Sequence, residues 1–158
     1  MKRACETFRR GYPAALLLIA FVAGCASVPQ ASREHDAEAK QFVTHPATGA
    51  LYVYRSQLDD PDTESVLYLD HRLIGATLPG GYFRIDAQPG KRVLHGTGRD
   101  QGHLTIDVRP GSISFVSLRV VADNSYFQLR PGEAGRADLL ACCVLLENWS
   151  PGQRPLLR

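Results

Sequence analysis

Several signatures of chemistry are missing from this 158-residue chain. No C-x-x-C occurs, and no cysteine–histidine spacing matches a zinc site. There is no P-loop. Gly96 and Gly98 continue to Gly102, one residue too late for G-x-G-x-x-G, and a strand pattern follows where a helix would be needed. Gly111-Ser112-Ile113-Ser114 lacks the closing glycine of a nucleophile elbow. The longest apolar run, 14–26, has 13 residues with Gly24 inside it. At about 1.5 Å per residue it covers roughly 20 Å, against a hydrocarbon core of about 30 Å, so it is too short to span a membrane. These absences leave no catalytic residue, no cofactor and no metal to assign, and a non-enzymatic protein is expected.

Excess charge is also missing from the body of the chain. The formal net charge of +2 is set by residues 1–24, where Lys2, Arg3, Arg9 and Arg10 stand against Glu6. The remainder holds 14 basic and 15 acidic residues. A near-neutral body argues against nucleic acid as a partner. Gly 14 and Pro 10 suit a turn-rich single domain and exclude a collagen-like or wholly disordered chain.

The N-terminus reads as a secretory signal: four cations, then AALLLIAFVA, then small residues. Val22-Ala23-Gly24-Cys25 resembles the lipobox of bacterial lipoproteins. The resemblance implies cleavage between Gly24 and Cys25 and lipid attachment at Cys25. One acyl chain binds a bilayer only marginally, whereas two or three hold persistently. Ala26 stands where an aspartate often marks retention in the inner membrane, so an outer-membrane lipoprotein facing the periplasm is expected, if the host is Gram-negative. Residues 25–41 have no apolar periodicity and read as a flexible tether reaching roughly 20–25 Å. Residues 42–147 form the domain and 148–158 a C-terminal tail.

From residue 50 the chain becomes short β-rich runs broken by turns. Strands are predicted over 50–56, 65–70, 72–78, 82–87, 92–97, 103–109, 113–121 and 126–130. The turns fall at Asp70-His71, Leu78-Pro79-Gly80-Gly81, Pro89-Gly90, Pro110-Gly111 and Asp123-Asn124. The spacing predicts an all-β fold, an antiparallel sandwich of the Ig-like or transthyretin-like kind. Gly75 and Gly96 inside strands predict bulges or close packing. Residues 133–141 suit a short helix, and the apolar 142–146 fits strand or helix equally. Cys142 and Cys143 are neighbours, about 3.8 Å apart at Cα, where disulfides prefer about 4.4–6.8 Å. They read as two small packed residues, with an intermolecular disulfide or a redox or metal role as alternatives.

The strand ALYVYR (50–55), YLD with Gly75 five residues after Asp70, Gly81-Tyr82-Phe83, Pro89-Gly90-Lys91 and Pro110-Gly111 together resemble a family of bacterial envelope lipoproteins with a domain of unassigned function. The middle of the chain, LYLDHRLIGATLPGGYFRIDAQPGKRVL, is similar to PEGA-type β-modules. His71 departs from the glycine usual in such hairpins. The resemblance implies a fold and an address, and no catalytic residue.

The remaining candidates are surfaces. Tyr52, Tyr54 and Tyr68 make an aromatic stripe. If Leu51 and Val53 face the core, these tyrosines face outward and mark a glycan or protein contact, unless a second sheet or the tail covers them. His95 and His103 face each other across a hairpin, with Asp70 beside His71, and His35 and His45 lie apart. Asp60, Asp62 and Glu64 occupy positions 1, 3 and 5 of a calcium-loop count, next to Asp59. Ser65 and His71 replace the glycine and glutamate it needs, so a solvated loop is expected. Asn148-Trp149-Ser150 fits a glycosylation pattern of little weight here. The functional expectation is a lipid-anchored, non-enzymatic envelope protein that binds a protein partner, with a glycan-binding module as the alternative.

Overall fold

All seven residues of one strand, β1 (Gly49–Arg55), are buried, and this decides the architecture. Its alternating side chains enter two different cores. The computed structural model describes residues 29–59, 65–96 and 102–148. Gly24 and Cys25 lie outside them, as do Asp60, Asp62, Glu64 and the 149–158 tail.

After β1 come β2 (Ser65–Leu69), β3 (Arg72–Thr77), β4 (Gly81–Ala87), β5 (Gly90–His95), β6 (His103–Val108), β7 (Ile113–Val121) and β8 (Asn124–Arg130). Two sheets form. One has the order β8-β7-β1-β4 and gains a last short strand, β9 (Val144–Leu145), beside β4; the other has the order β3-β2-β5-β6. Leu51 and Val53 meet Leu67, Leu69, Ile74, Leu94 and Ile106 between the sheets. The expected all-β sandwich is therefore present, with helix α2 (Gly132–Cys142) near the C-terminus.

Ala50, Tyr52 and Tyr54 point the other way, into a second core with Tyr82, Phe115, Leu139 and Leu145. That core is roofed by α2 and by α1 (Arg33–Ala39). The molecule is thus layered helix, sheet, sheet, and a sheet covered on both faces has no polar parity along its central strand.

Three expectations are corrected. The sheets are not wholly antiparallel, because β1 runs parallel to β7 from Ala50↔Ile113 to Arg55↔Leu118, and β4 parallel to β9. In neither case are the paired strands consecutive: β2–β6 lie between β1 and β7, and β5–β8 with α2 lie between β4 and β9, and connections of that length permit a parallel neighbour. The region 26–41 is not all tether, for residues 29–41 lie against the domain. Ser32 accepts a hydrogen bond from His35 N and caps α1. Only Ala39 of α1 is buried, so no apolar stripe announced the helix. It is held by the Asp36 carboxylate, which accepts from Lys40 Nζ, Tyr82 Oη and Leu145 N. Finally, the sulfurs of Cys142 and Cys143 are bonded to each other. Cys142 ends the helix and Cys143 is extended (φ −126°, ψ 148°), and this change of backbone turns both side chains to one side.

The turns largely follow the sequence. Asp70 and His71 both have positive φ, 49° and 64°, the type I′ geometry of a two-residue hairpin. The β7–β8 turn is centred one residue earlier than expected, on Ala122 and Asp123, again with φ positive at both. Gly75 sits opposite a register shift between Leu67 and Tyr68, and a Cβ there would lie 2.8 Å from the Phe83 ring. A Cβ on Gly135, inside α2, would come within 2.6 Å of Phe115 Cγ. Gly→Ala in a helix usually stabilises by about 1 kcal/mol. Gly135→Ala is expected instead to destabilise, by about 1–3 kcal/mol, because it lifts α2 off β7. A raised denaturation midpoint would show that the helix is not seated this closely.

Candidate functional site

The tyrosine stripe is taken apart by the tertiary structure. Tyr52 and Tyr54 are not a surface, since they point into the helix-side core. The Tyr52 hydroxyl donates to Ala39 O at 2.7 Å, and the Tyr54 hydroxyl to Asp138 Oδ2 at 2.7 Å. Asp138 also accepts from Arg130 at 3.1 Å, so β1, β8 and α2 are tied at one carboxylate. Burial pushes the Tyr52 and Tyr54 hydroxyls up to about 12, with the Asp138 carboxylate adding to the second. Burial raises Tyr82 further, and Asp36 adds to it. Phenols held neutral in this way are structural donors rather than ligand contacts.

Tyr68 belongs to the opposite, open face of the other sheet. Its ring stacks on His95 with centroids 4.9 Å apart. His95 registers against His103, as the hairpin pattern predicted, and Tyr68 registers against His95 from the neighbouring strand. His71 tilts onto His95 at 5.6 Å. Asp70 does not join them, because its carboxylate accepts from Val93 N at 2.8 Å and from Arg92 Nη1 at 3.1 Å. Among the described residues no group of three or more His, Cys, Asp or Glu is arranged to hold a metal.

Two arginines are sealed inside. Arg84 lies over the Tyr52 ring at 6.0 Å, donates to Val43 O and pairs with Asp86, while its Nε and Nη1 have no hydrogen-bond partner among the described residues. Arg55, fully buried at the end of β1, donates from Nε to Asp59 Oδ2 at 2.7 Å and from Nη1 to Thr77 O. Asp59 in turn accepts from Val120 N at 2.9 Å, where β7 has run past the end of β1.

The surface with the clearest character is the β7–β8 ribbon. A shallow cavity of about 370 Å³ opens on it, lined by Ser117, Arg119, Val121, Tyr126, Phe127 and Gln128. Arg119 registers against Tyr126, and Ser117 against Gln128. Tyr126 is 53% exposed, Leu129 55% and Val121 47%. β8 is also a sheet edge. Its seven residues carry no bulge against β7, no lysine and no internal proline, the devices that usually protect an edge. The other edge of this sheet is closed: Ala31 N donates to Leu145 O, Glu147 N to Pro29 O, and Gln30 bridges Leu146. In the second sheet, β3 is irregular and β6 carries exposed His103 and Asp107.

None of these ribbon residues was singled out from the sequence. The strand itself was legible at 126–130, but its place at an edge depends on which strands it pairs with. No family model, curated protein or solved structure matches this chain.

Proposed function

We propose that this is a lipid-anchored, non-enzymatic protein of the bacterial cell envelope that makes protein contacts through the β8 edge and the outer face of the β7–β8 ribbon. The observation that carries the reading is an unprotected edge strand beside exposed apolar side chains, Val121, Tyr126 and Leu129. An open edge offers backbone hydrogen bonds to an incoming strand, and the apolar side chains beside it supply buried area. The signal, Gly24-Cys25 and Ala26 support an outer-membrane address facing the periplasm. A glycan-binding role has less support, because Tyr52 and Tyr54 are enclosed and Tyr68 is stacked on His95.

The test is a photo-activated cross-linking residue at Tyr126 in the full chain in cells, compared with one at Val93 on the open face of the second sheet. A discrete protein adduct is expected from position 126 alone, and it should weaken when Cys25→Ser removes the anchor. Equal, diffuse labelling from both positions would count against the reading and move attention to sedimentation with purified cell wall.

A further inference from the structure

The register of the β7–β8 hairpin specifies what the β8 edge fits. The two-residue turn makes Val121↔Asn124 the closing pair, and hydrogen-bonded pairs then alternate: Arg119↔Tyr126, Ser117↔Gln128 and Phe115↔Arg130. The backbone groups of Asn124, Tyr126, Gln128 and Arg130 therefore face β7. Those of Ser125, Phe127 and Leu129 face outward. Ser125 is already engaged by the second sheet: its Oγ lies 2.6 Å from Ser65 Oγ, and Gly96 and Gly102 are packed against it. Phe127 and Leu129 make no backbone hydrogen bond on that side among the described residues.

Two donors and two acceptors, spaced two residues apart, match themselves. Set antiparallel about a two-fold axis at Gln128, Phe127 of one copy pairs with Leu129 of the other, and Leu129 with Phe127. All four outward groups are used on each copy, giving four backbone hydrogen bonds. On one face Phe127 lies against Leu129, apolar on apolar. On the other, Gln128 meets Gln128 and Tyr126 meets Arg130, a ring against a cation with no like charges opposed. An axis at Phe127 would instead require the backbone of Ser125, which the second sheet occupies.

We infer that the strand β8 takes is β8 of a second copy of this chain, giving a symmetric dimer with one continuous sheet across both subunits. The inference rests on the reading of β8 as a contact surface.

Because the axis passes through Gln128, the pair 128↔128 is a non-hydrogen-bonded one with Cα atoms about 4.5 Å apart, inside the range for a disulfide. Gln128→Cys in the full, membrane-anchored chain, mildly oxidised in cells, is expected to convert most of the protein to a reducible species of twice the chain mass. The wild type and Tyr126→Cys should stay single, since two copies of position 126 lie about 13 Å apart in this register. Adding Leu129→Pro to Gln128→Cys should abolish the dimer without breaking the β7 ladder, because that amide points outward; far-UV circular dichroism checks the fold. A Gln128→Cys chain that stays single while the Tyr126 cross-linker captures a different protein would overturn self-pairing and keep the contact surface. Failure of both would overturn both.

Discussion

Arg55→Met should lower the stability of the protein by about 3–5 kcal/mol, the usual cost of removing one partner from a buried ion pair. The substitution leaves the Asp59 carboxylate, 7% exposed, without its cation. It also releases Thr77 O. More is lost than one pair, because the same Asp59 oxygen receives Val120 N. That bond fixes β7 beyond the point where β1 ends, and Arg119 and Val121, on either side of Val120, line the ribbon cavity. The site is thus supported from behind by a buried charge. Replacing both residues, Arg55→Met with Asp59→Leu, should cost less than the single change, since no charge is then stranded. Urea denaturation followed by circular dichroism measures both. A single variant within about 1 kcal/mol of wild type would show that the connection after β1 is not anchored by this pair.

Alkaline pH should unfold the protein steeply. Three of its six tyrosines are held neutral in the folded state, Tyr52 and Tyr54 with values near 12 and Tyr82 higher still. An unfolded tyrosine loses its proton near 10. Above that pH the unfolded chain binds fewer protons than the folded one, so stability falls as pH rises. Below pH 10 both states keep their phenolic protons and nothing is lost. Each enclosed tyrosine contributes a fall of about 1.4 kcal/mol per pH unit between those limits, and three together about 4 kcal/mol per unit. Two units at that slope remove about 8 kcal/mol, enough to exhaust a domain in the lower half of the ordinary range of about 5–15 kcal/mol. Tyrosinate absorbance should therefore rise in two stages, first the accessible rings, then the enclosed ones together with loss of the far-UV signal. Titration of Tyr52, Tyr54 and Tyr82 near pH 10 with the fold intact would mean that the helix layer does not cover the tyrosines.

The contrast between Tyr52 and Tyr126 explains how far a sequence reading reaches. Both stand in β-rich runs and both alternate with apolar residues. The run 50–56 was correctly placed as a strand, but alternation only says that the two parities face different ways. It does not say whether the second face meets water. Here that depends on α1 and α2, which lie at opposite ends of the chain. α1 itself was not visible, for REHDAEA buries a single alanine and is fixed by Asp36 reaching Tyr82 and Leu145, residues 46 and 109 positions away. A contact of that separation leaves no periodicity behind.

What the sequence determined by itself is local. Turn residues at Asp70-His71, Pro89-Gly90 and Pro110-Gly111 and the β-rich runs between them specify strand boundaries, because φ preferences and side-chain alternation act over a few residues. Gly75 and Gly96 announced close approach for the same reason. The lipobox-like Val22-Ala23-Gly24-Cys25 is local as well. What only the tertiary structure decided is the partner of each surface: that β1 is central and covered twice, that the chain's own residues 29–31 seal the β9 edge, and that β8 beyond Ser125 is left open among the described residues. An edge is a property of sheet order, and sheet order is set by which long-range burial wins. So Tyr126–Arg130 reads as an ordinary strand in sequence, and its place at a sheet edge, on which the proposed contact rests, appears only in the fold.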